Sequence, residues 1–336
     1  MKRIGIIIIL SVVFILSTCH RNPLDVDVSR VKVDLQVVRF DREFCSIDPD
    51  SIYRYFPQWQ EHYGQFWQVY SQPLIGLGSP ESYNFLVRTR AFFDYCHQYG
   101  IERDVQKVFP PDDDFIHRTL TDAFRHYKYY FPDRPVPRIF TVISGFNVSV
   151  FTGDDFIGIS LDKYLGADYP LYSQLGFERY KRRRMVKQMI PVDVMRAWAV
   201  AEFPFNDSVN NVLANMIYEG RLQYFIDAML PDYPDTLKWG YTRLQWKWVN
   251  AYEKNIWNYL VDRNVLFSQR TLDIRTFTGD GPFTTPFHRN SAPRAGTFIG
   301  YRIVQAFMKE HKDVSLSELM QMRDYIRIYN ESYYEP

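Results

Sequence analysis

Histidine is scarce in this sequence and unevenly placed: there are seven, and none lies between 127 and 287. They are His20, His62, His97, His117, His126, His288 and His311, and no two stand four apart. The pattern H-x-x-x-H, which puts two imidazoles on one helix face for zinc, is therefore missing. His117 and His126 share a helix but fall on opposite faces of it. G-x-S-x-G, a Cys/His pair and a P-loop are also missing, so no metal and no cofactor is expected. A surplus of charge is lacking as well. Forty Lys and Arg meet 39 Asp and Glu, a net +1, which argues against nucleic acid as a partner. Nor is there a long apolar run. Ile4 to Leu16 is shorter than the roughly 20 residues a spanning helix needs.

That run, after Lys2 and Arg3, reads instead as the core of an export signal. It ends in Leu16-Ser17-Thr18-Cys19, which resembles the bacterial lipobox. The resemblance implies cleavage before Cys19 and acylation of its thiol and new amino group. The expected plan is a signal at 1–18, a polar tether at 19–27 and one domain at 28–336. Within the domain, a sheet-bearing part spans about 28–166 and a helical part about 167–336. Two cysteines remain, Cys45 and Cys96. An exported chain permits a disulfide between them, and two separate thiols are equally compatible. Aromatics make up 17% of residues, with 25 Tyr and 26 Phe.

"VKVDLQVV", from Val31, alternates apolar and polar and reads as a half-buried strand. "SPESYNFLVRTRAFFDYCHQYG" reads as a helix capped by Ser79 or Ser82 and ended by Gly100. "DDDFIHRTLTDAFRHYKYYFP" reads as another, with acids at its start and Lys128 near its end. "RIFTVIS", "VSVF" and "FIGIS", joined by tight turns, imply a small, mostly antiparallel sheet. From Phe177 the chain reads as helix. The segments are "RRRMVKQMIPVDVMRAWAVAEF", "DSVNNVLANMIYEGRLQYFIDAML", "LQWKWVNAYEKNIWNYLVDRN", "TFIGYRIVQAFMKEHKD" and "SLSELMQMRDYIRIY".

The second of these segments carries a carboxylate at the edge of an apolar stripe, Glu219, followed by Gly220. An ionised side chain there calls for a partner, while Gly220 permits close backbone approach. The segment resembles the gluzincin metalloproteases. Their first helix carries H-E-x-x-H, and a glutamate on the next helix is the third zinc ligand. In that register the first helix here offers Met195-Arg196-Ala197-Trp198-Ala199. Glu219 then occupies a relict ligand position without its metal, with Arg196 as candidate counter-ion. The plain alternative is an acid at the edge of the helix, in water or beside any arginine.

A broader resemblance rests on "VVRFDREF", "FTVISGFNVSVF", "GDDFIGISLDKYLG", "PVDVMRAWAVAEFP", "MIYEGRLQYFIDAMLP", "NAYEKNIWNYL", "GPFTTPFHRNSAPRAGTFIGYRIVQAFM" and "YNESYYEP". In this order the blocks are similar to the gliding-motility lipoprotein GldB family of Bacteroidetes. The resemblance implies a mainly helical α+β fold of degenerate gluzincin (zincin-like) plan, with a small mixed or antiparallel sheet. It implies a noncatalytic envelope lipoprotein serving gliding and type IX secretion. Its partners would be a membrane, through the lipid anchor, and envelope proteins of that machinery. His20-Arg21-Asn22 after Cys19, in place of acids, favours facing the periplasm.

Two other functions stay open: a hydrolase using Glu219 with Asp or Tyr groups, and a glycan- or peptide-binding module built on Trp246, Trp248 and Trp257. The loop 277–296 is long for a compact domain. Its His288, with Tyr301 and Arg302 on the next helix, are cleft candidates, although the loop is also compatible with simple packing over the helices. Lys181 to Arg184 read as a solvated helix start or as a contact with anionic lipid.

Overall fold

The fold was analysed in a computed structural model that describes residues 22–206 and 208–336. Cys19 and the expected signal segment lie outside them. The chain enters extended and docks early: Leu24 is buried, and its carbonyl accepts a hydrogen bond from Tyr130 Oη at 3.1 Å. Burial alternates through Val33 and Leu35 as the pattern expects, yet the strand is far shorter than the pattern. Only Val37–Val38 (β1) joins a ladder.

Helices α1 (Phe40–Cys45), α2 (Ile52–Tyr63), α3 (Gln65–Val69), α4 (Phe85–Gln98), α5 (Ile101–Val108) and α6 (Phe115–Tyr130) follow. Next come β2 (Arg138–Val142), β3 (Val150–Thr152) and β4 (Phe156–Ser160). The helices α7 (Pro170–Gln174), α8 (Arg179–Arg182), α9 (Ile190–Glu202), α10 (Val212–Met229) and α11 (Asp235–Trp239) lead onward. The chain closes with α12 (Arg243–Ala251), α13 (Glu253–Asp262), α14 (Thr271–Thr278), α15 (Ala295–Glu310), α16 (Leu316–Gln321) and α17 (Tyr325–Glu331). The protein is thus mainly helical, on both sides of the sheet in sequence.

Several expected boundaries move, each for a local reason. Gly100 does end α4, in the left-handed region at φ +61°, but the helix starts at Phe85, beyond a turn built by Ser79 and Ser82. α9 begins only at Ile190. Pro191 sits in its first turn, where a missing N–H breaks no bond. Just before it, a bridge between Leu165 and Val186 holds the chain out of helix. The tryptophan-rich segment is two helices broken at Tyr252, and the last segment is two helices with Met322 between them.

The sheet runs β1-β2-β4-β3. β1 and β2 are parallel, with Val37 opposite Ile139, and so are β2 and β4, with Phe140 opposite Gly158. Only β3 and β4 are antiparallel, with Phe151 opposite Gly158. The mostly antiparallel expectation is therefore corrected to a mixed sheet. Tight turns report which strands are neighbours in sequence. Here β3 lands on the outer edge, so β4 slots between it and β2.

Both faces of this sheet are covered, which is why its strands read as unbroken apolar runs. Phe140, Val142 and Phe156 enter an aromatic core with Phe40, Phe44, Trp59, Phe66, Trp67 and Tyr70. Phe66 lies flat on Phe140, ring centres 3.8 Å apart. Ile139, Ile157 and Ile159 face the larger core, built on α6, α9, α10 and α15. α10 runs through that core. Asn211 caps it, its side chain accepting from Ala214 N at 2.9 Å. Gly220 meets α15 at Gly300 with backbone against backbone. Cys45 and Cys96 are free thiols, and burial pushes Cys96 up to about 12 and Cys45 well above its ordinary value.

Asp162, fully buried at the end of β4, braces the turn after β2. It accepts from Ser144 N at 3.2 Å and Phe146 N at 2.6 Å. Burial outweighs those two bonds and lifts its pKa from 3.8 to about 6. The folded state then holds the proton more tightly than the unfolded chain does. This group favours folding most below about pH 4 and loses that advantage as the pH rises past 6, a change of roughly 3 kcal/mol. The difference in unfolding free energy between wild type and Asp162→Asn should therefore shrink by that order from pH 4 to pH 7. A difference that stays constant with pH would contradict the assignment.

Candidate functional site

α9 and α10 pack against each other and carry the residues singled out above. Met195 and Ala199 on α9 are fully buried among apolar neighbours. Arg196 instead reaches an edge of α10. Of the α10 residues, Asn215 and Glu219 escape burial, one turn apart. Arg196 Nη2 donates to Glu219 Oε2 at 2.6 Å, with the two side chains 27% and 19% exposed. Burial disfavours the guanidinium charge, but Glu219, Tyr218 and Asp193 outweigh it and raise the Arg196 pKa. Glu219 therefore has an arginine partner.

The pair belongs to a wider net of alternating charge. Asp193, one turn before Arg196, accepts from Tyr164 Oη at 2.9 Å and from Arg184 Nη2 at 3.5 Å. Arg184 also lies 3.6 Å from Asp280. Burial raises the Asp193 pKa against the pull of Arg184, Tyr164 and Arg196. Arg294 is buried nearby, donates to Trp239 O at 2.5 Å, and has its pKa lowered first by burial and then by Arg184. A cleft of about 260 Å³ opens on this net, lined by Lys163, Lys181, Arg184, Asp193 and Asp280 among others.

The cleft candidates disperse. His288 sits exposed on its loop, Nδ1 accepting from Asn290 N at 3.2 Å. The base of that loop is pinned: Thr284 and Ser291 are buried and bonded to each other, and Tyr241 Oη donates to Pro293 O at 2.7 Å. Tyr301 is buried on the inner side of α15 and donates to Asp227 Oδ2. Lys238 Nζ lies 2.9 Å from Asp227 Oδ1 and 3.1 Å from Asp235. Burial raises the Asp227 pKa despite Lys238. It also raises that of Tyr301, with help from Asp227. Arg302 faces outward to Glu253 at 2.8 Å, beside Tyr334 Oη on the same carboxylate at 2.9 Å. Gln305 links Tyr301 and Arg302, whereas neither they nor His288 bond to Glu219 or Arg196.

Sequence reasoning missed Asp193, Asp227 and Lys238. Asp227 carried the same signal as Glu219, a carboxylate inside "YFIDAML". Asp193 looked like an ordinary acid in a first helical turn. Among the described residues no three His, Cys, Asp or Glu side chains converge as metal ligands would. No helix among them is long and apolar enough to cross a membrane.

Fold and site together define a helix-dominated α+β protein, with a mixed sheet buried on both faces and a neutralised charge net at the crossing of two core helices. The chain belongs to the gliding motility protein GldB family, whose family model matches residues 21–336. Membership makes it a gliding-motility-related protein of the cell envelope. No curated protein and no solved structure matches it.

Proposed function

We propose that the chain is a noncatalytic lipoprotein, anchored through Cys19 and facing the periplasm, that supports gliding and type IX secretion through contacts with other envelope proteins. Family membership supports the gliding-related envelope role, and the observation that carries the noncatalytic part of this reading is the Arg196–Glu219 pair at 2.6 Å. In the register of a zincin-like ancestor, Arg196 stands where the catalytic glutamate would be, and Met195 and Ala199 stand where the histidines would be. An arginine at that place occupies the one carboxylate such a site would keep, and a general base must be free to take a proton.

Two experiments test it. Purified wild type is expected to contain zinc well below one equivalent, unchanged in Glu219→Ala, and Glu219→Ala is expected to lose about 1–3 kcal/mol of stability as a half-buried charge is orphaned. Stoichiometric zinc lost on that substitution would favour the hydrolase. In envelopes, crosslinking is expected to capture partner proteins with wild type, and Cys19→Ala is expected to leave the protein soluble or unprocessed. A Cys19→Ala protein that is processed and membrane-bound as before would remove the anchor from the proposal.

A further inference from the structure

Three segments that the sequence sets far apart meet at one surface groove of about 640 Å³. The basic run contributes Arg183. The tryptophan-rich helix α12 contributes one face, Leu244, Lys247, Trp248 and Ala251. The long loop after α14 contributes Arg289 and Asn290. Arg183, Lys247 and Arg289 are exposed, and none makes an ion pair or side-chain hydrogen bond among the described residues. No aspartate or glutamate lines the groove. The clefts beside Arg184 and beside Arg302 differ in this respect, since each carries carboxylates among its cations. Three cations around one concavity repel one another and concentrate anions there.

The groove also has a rigid aromatic wall. Trp248 stacks on Tyr252, ring centres 5.2 Å apart and planes within 20°, and Phe287 of the loop packs against it at 5.7 Å. By contrast Trp246 turns inward to Trp239 and Phe298, and Trp257 to Tyr329 and Tyr334. Of these three tryptophans, Trp248 is the one that lines the groove.

We propose that this groove binds an acidic saccharide. The CH face of a sugar ring packs against the indole, its phosphate or carboxylate is held by the guanidinium forks of Arg183 and Arg289 with Lys247 as a point charge, and hydroxyl groups reach the Asn290 amide. An extended acidic peptide fits less well. It needs main-chain partners, and α12 spends its backbone groups within the helix. A membrane surface fits less well too, because the cations surround a hollow and Leu244 is the one large aliphatic side chain exposed among its lining residues.

The test uses the purified full chain and calorimetric titration at physiological salt. The probes are oligogalacturonate (carboxylate), mannose-6-phosphate oligosaccharide (phosphate), maltohexaose (neutral), polyglutamate, and phosphatidylglycerol vesicles. At least one acidic oligosaccharide is expected to bind roughly tenfold or more tightly than maltohexaose and polyglutamate. Which one binds identifies the acidic group. Arg183→Glu, Lys247→Glu and Arg289→Glu, all at exposed positions, are each expected to weaken that binding about tenfold, while Arg302→Glu, outside the groove, leaves it unchanged. Trp248→Ala is expected to weaken saccharide binding without changing any residual binding of polyglutamate. Absence of acidic-saccharide binding, equal binding of every polyanion, binding to vesicles alone, or indifference to the charge reversals would each overturn the proposal.

Discussion

Gly300→Ala is expected to cost about 3 kcal/mol or more and to leave little folded protein in cells. A Cβ at Gly300 would fall 1.8 Å from the Met216 carbonyl oxygen and 2.2 Å from its carbon, both backbone atoms of α10. A side-chain rotation cannot relieve that clash, so the two helices must part. Gly220 forms the other half of the contact, since its Cβ would lie 2.4 Å from the Gly300 carbonyl carbon. Parting α10 from α15 would open the larger core along the helix buried most completely within it. Gly281→Ala is the control, because its Cβ would meet only Phe283 O, at an ordinary 3.4 Å. It is expected to stay within about 0.5 kcal/mol of wild type. Urea unfolding of both proteins decides the matter, and a Gly300→Ala midpoint equal to that of wild type would mean that the crossing is not close-packed.

Asp227→Ala should also be damaging, at about 2–4 kcal/mol, because it leaves the Lys238 ammonium, 4% exposed, with only the half-exposed Asp235 as a partner. Lys238→Met should cost a similar amount by leaving the buried Asp227 carboxylate with Tyr301 alone and no positive charge beside it. The double substitution Asp227→Leu with Lys238→Met removes both charges and should be less destabilised than the sum of the single ones by several kcal/mol. Tyr301 retains Gln305 as a partner in that background, through the 2.7 Å bond already present. Thermal or urea unfolding of the four proteins gives the coupling. Strict additivity would show that Asp227 and Lys238 do not sense each other and that water reaches the site.

Legibility differed by element for physical reasons. α6 and α15 follow their sequence patterns closely, because a helix whose apolar stripe is broken by polar positions announces both its period and its face. α10 announced its period but misled about its faces. It is buried nearly all round, Arg221 and Gln223 included, so a sequence that put Glu219 at the edge of an apolar stripe could not also show that Asp227 is buried. The sheet was legible as strands and illegible as topology. "RIFTVIS" and "FIGIS" are parallel neighbours only because β3 passes to the outer edge, and no local turn encodes that choice. Tyr301 and Arg302, adjacent in sequence, face opposite environments. A helix turns about 100° per residue, and only the packing of α15 decides which one is buried.

The amino-acid sequence by itself determined the class: helices before and after a small sheet, no histidine pair for zinc, and ordered blocks that place the chain in its family. It also put to Glu219 the choice between a partner and water, since burial of an unpaired carboxylate is costly wherever the helix goes. The register of the resemblance named Arg196 as the candidate, and tertiary structure decided between it and water. Arg196 is the answer because α9 crosses α10 at that height, and Asp227 finds Lys238 because α11 folds back beside it. Side-chain chemistry can be read from letters one at a time, whereas a charge pair or a glycine crossing exists only between two elements whose separation is set by everything packed around them.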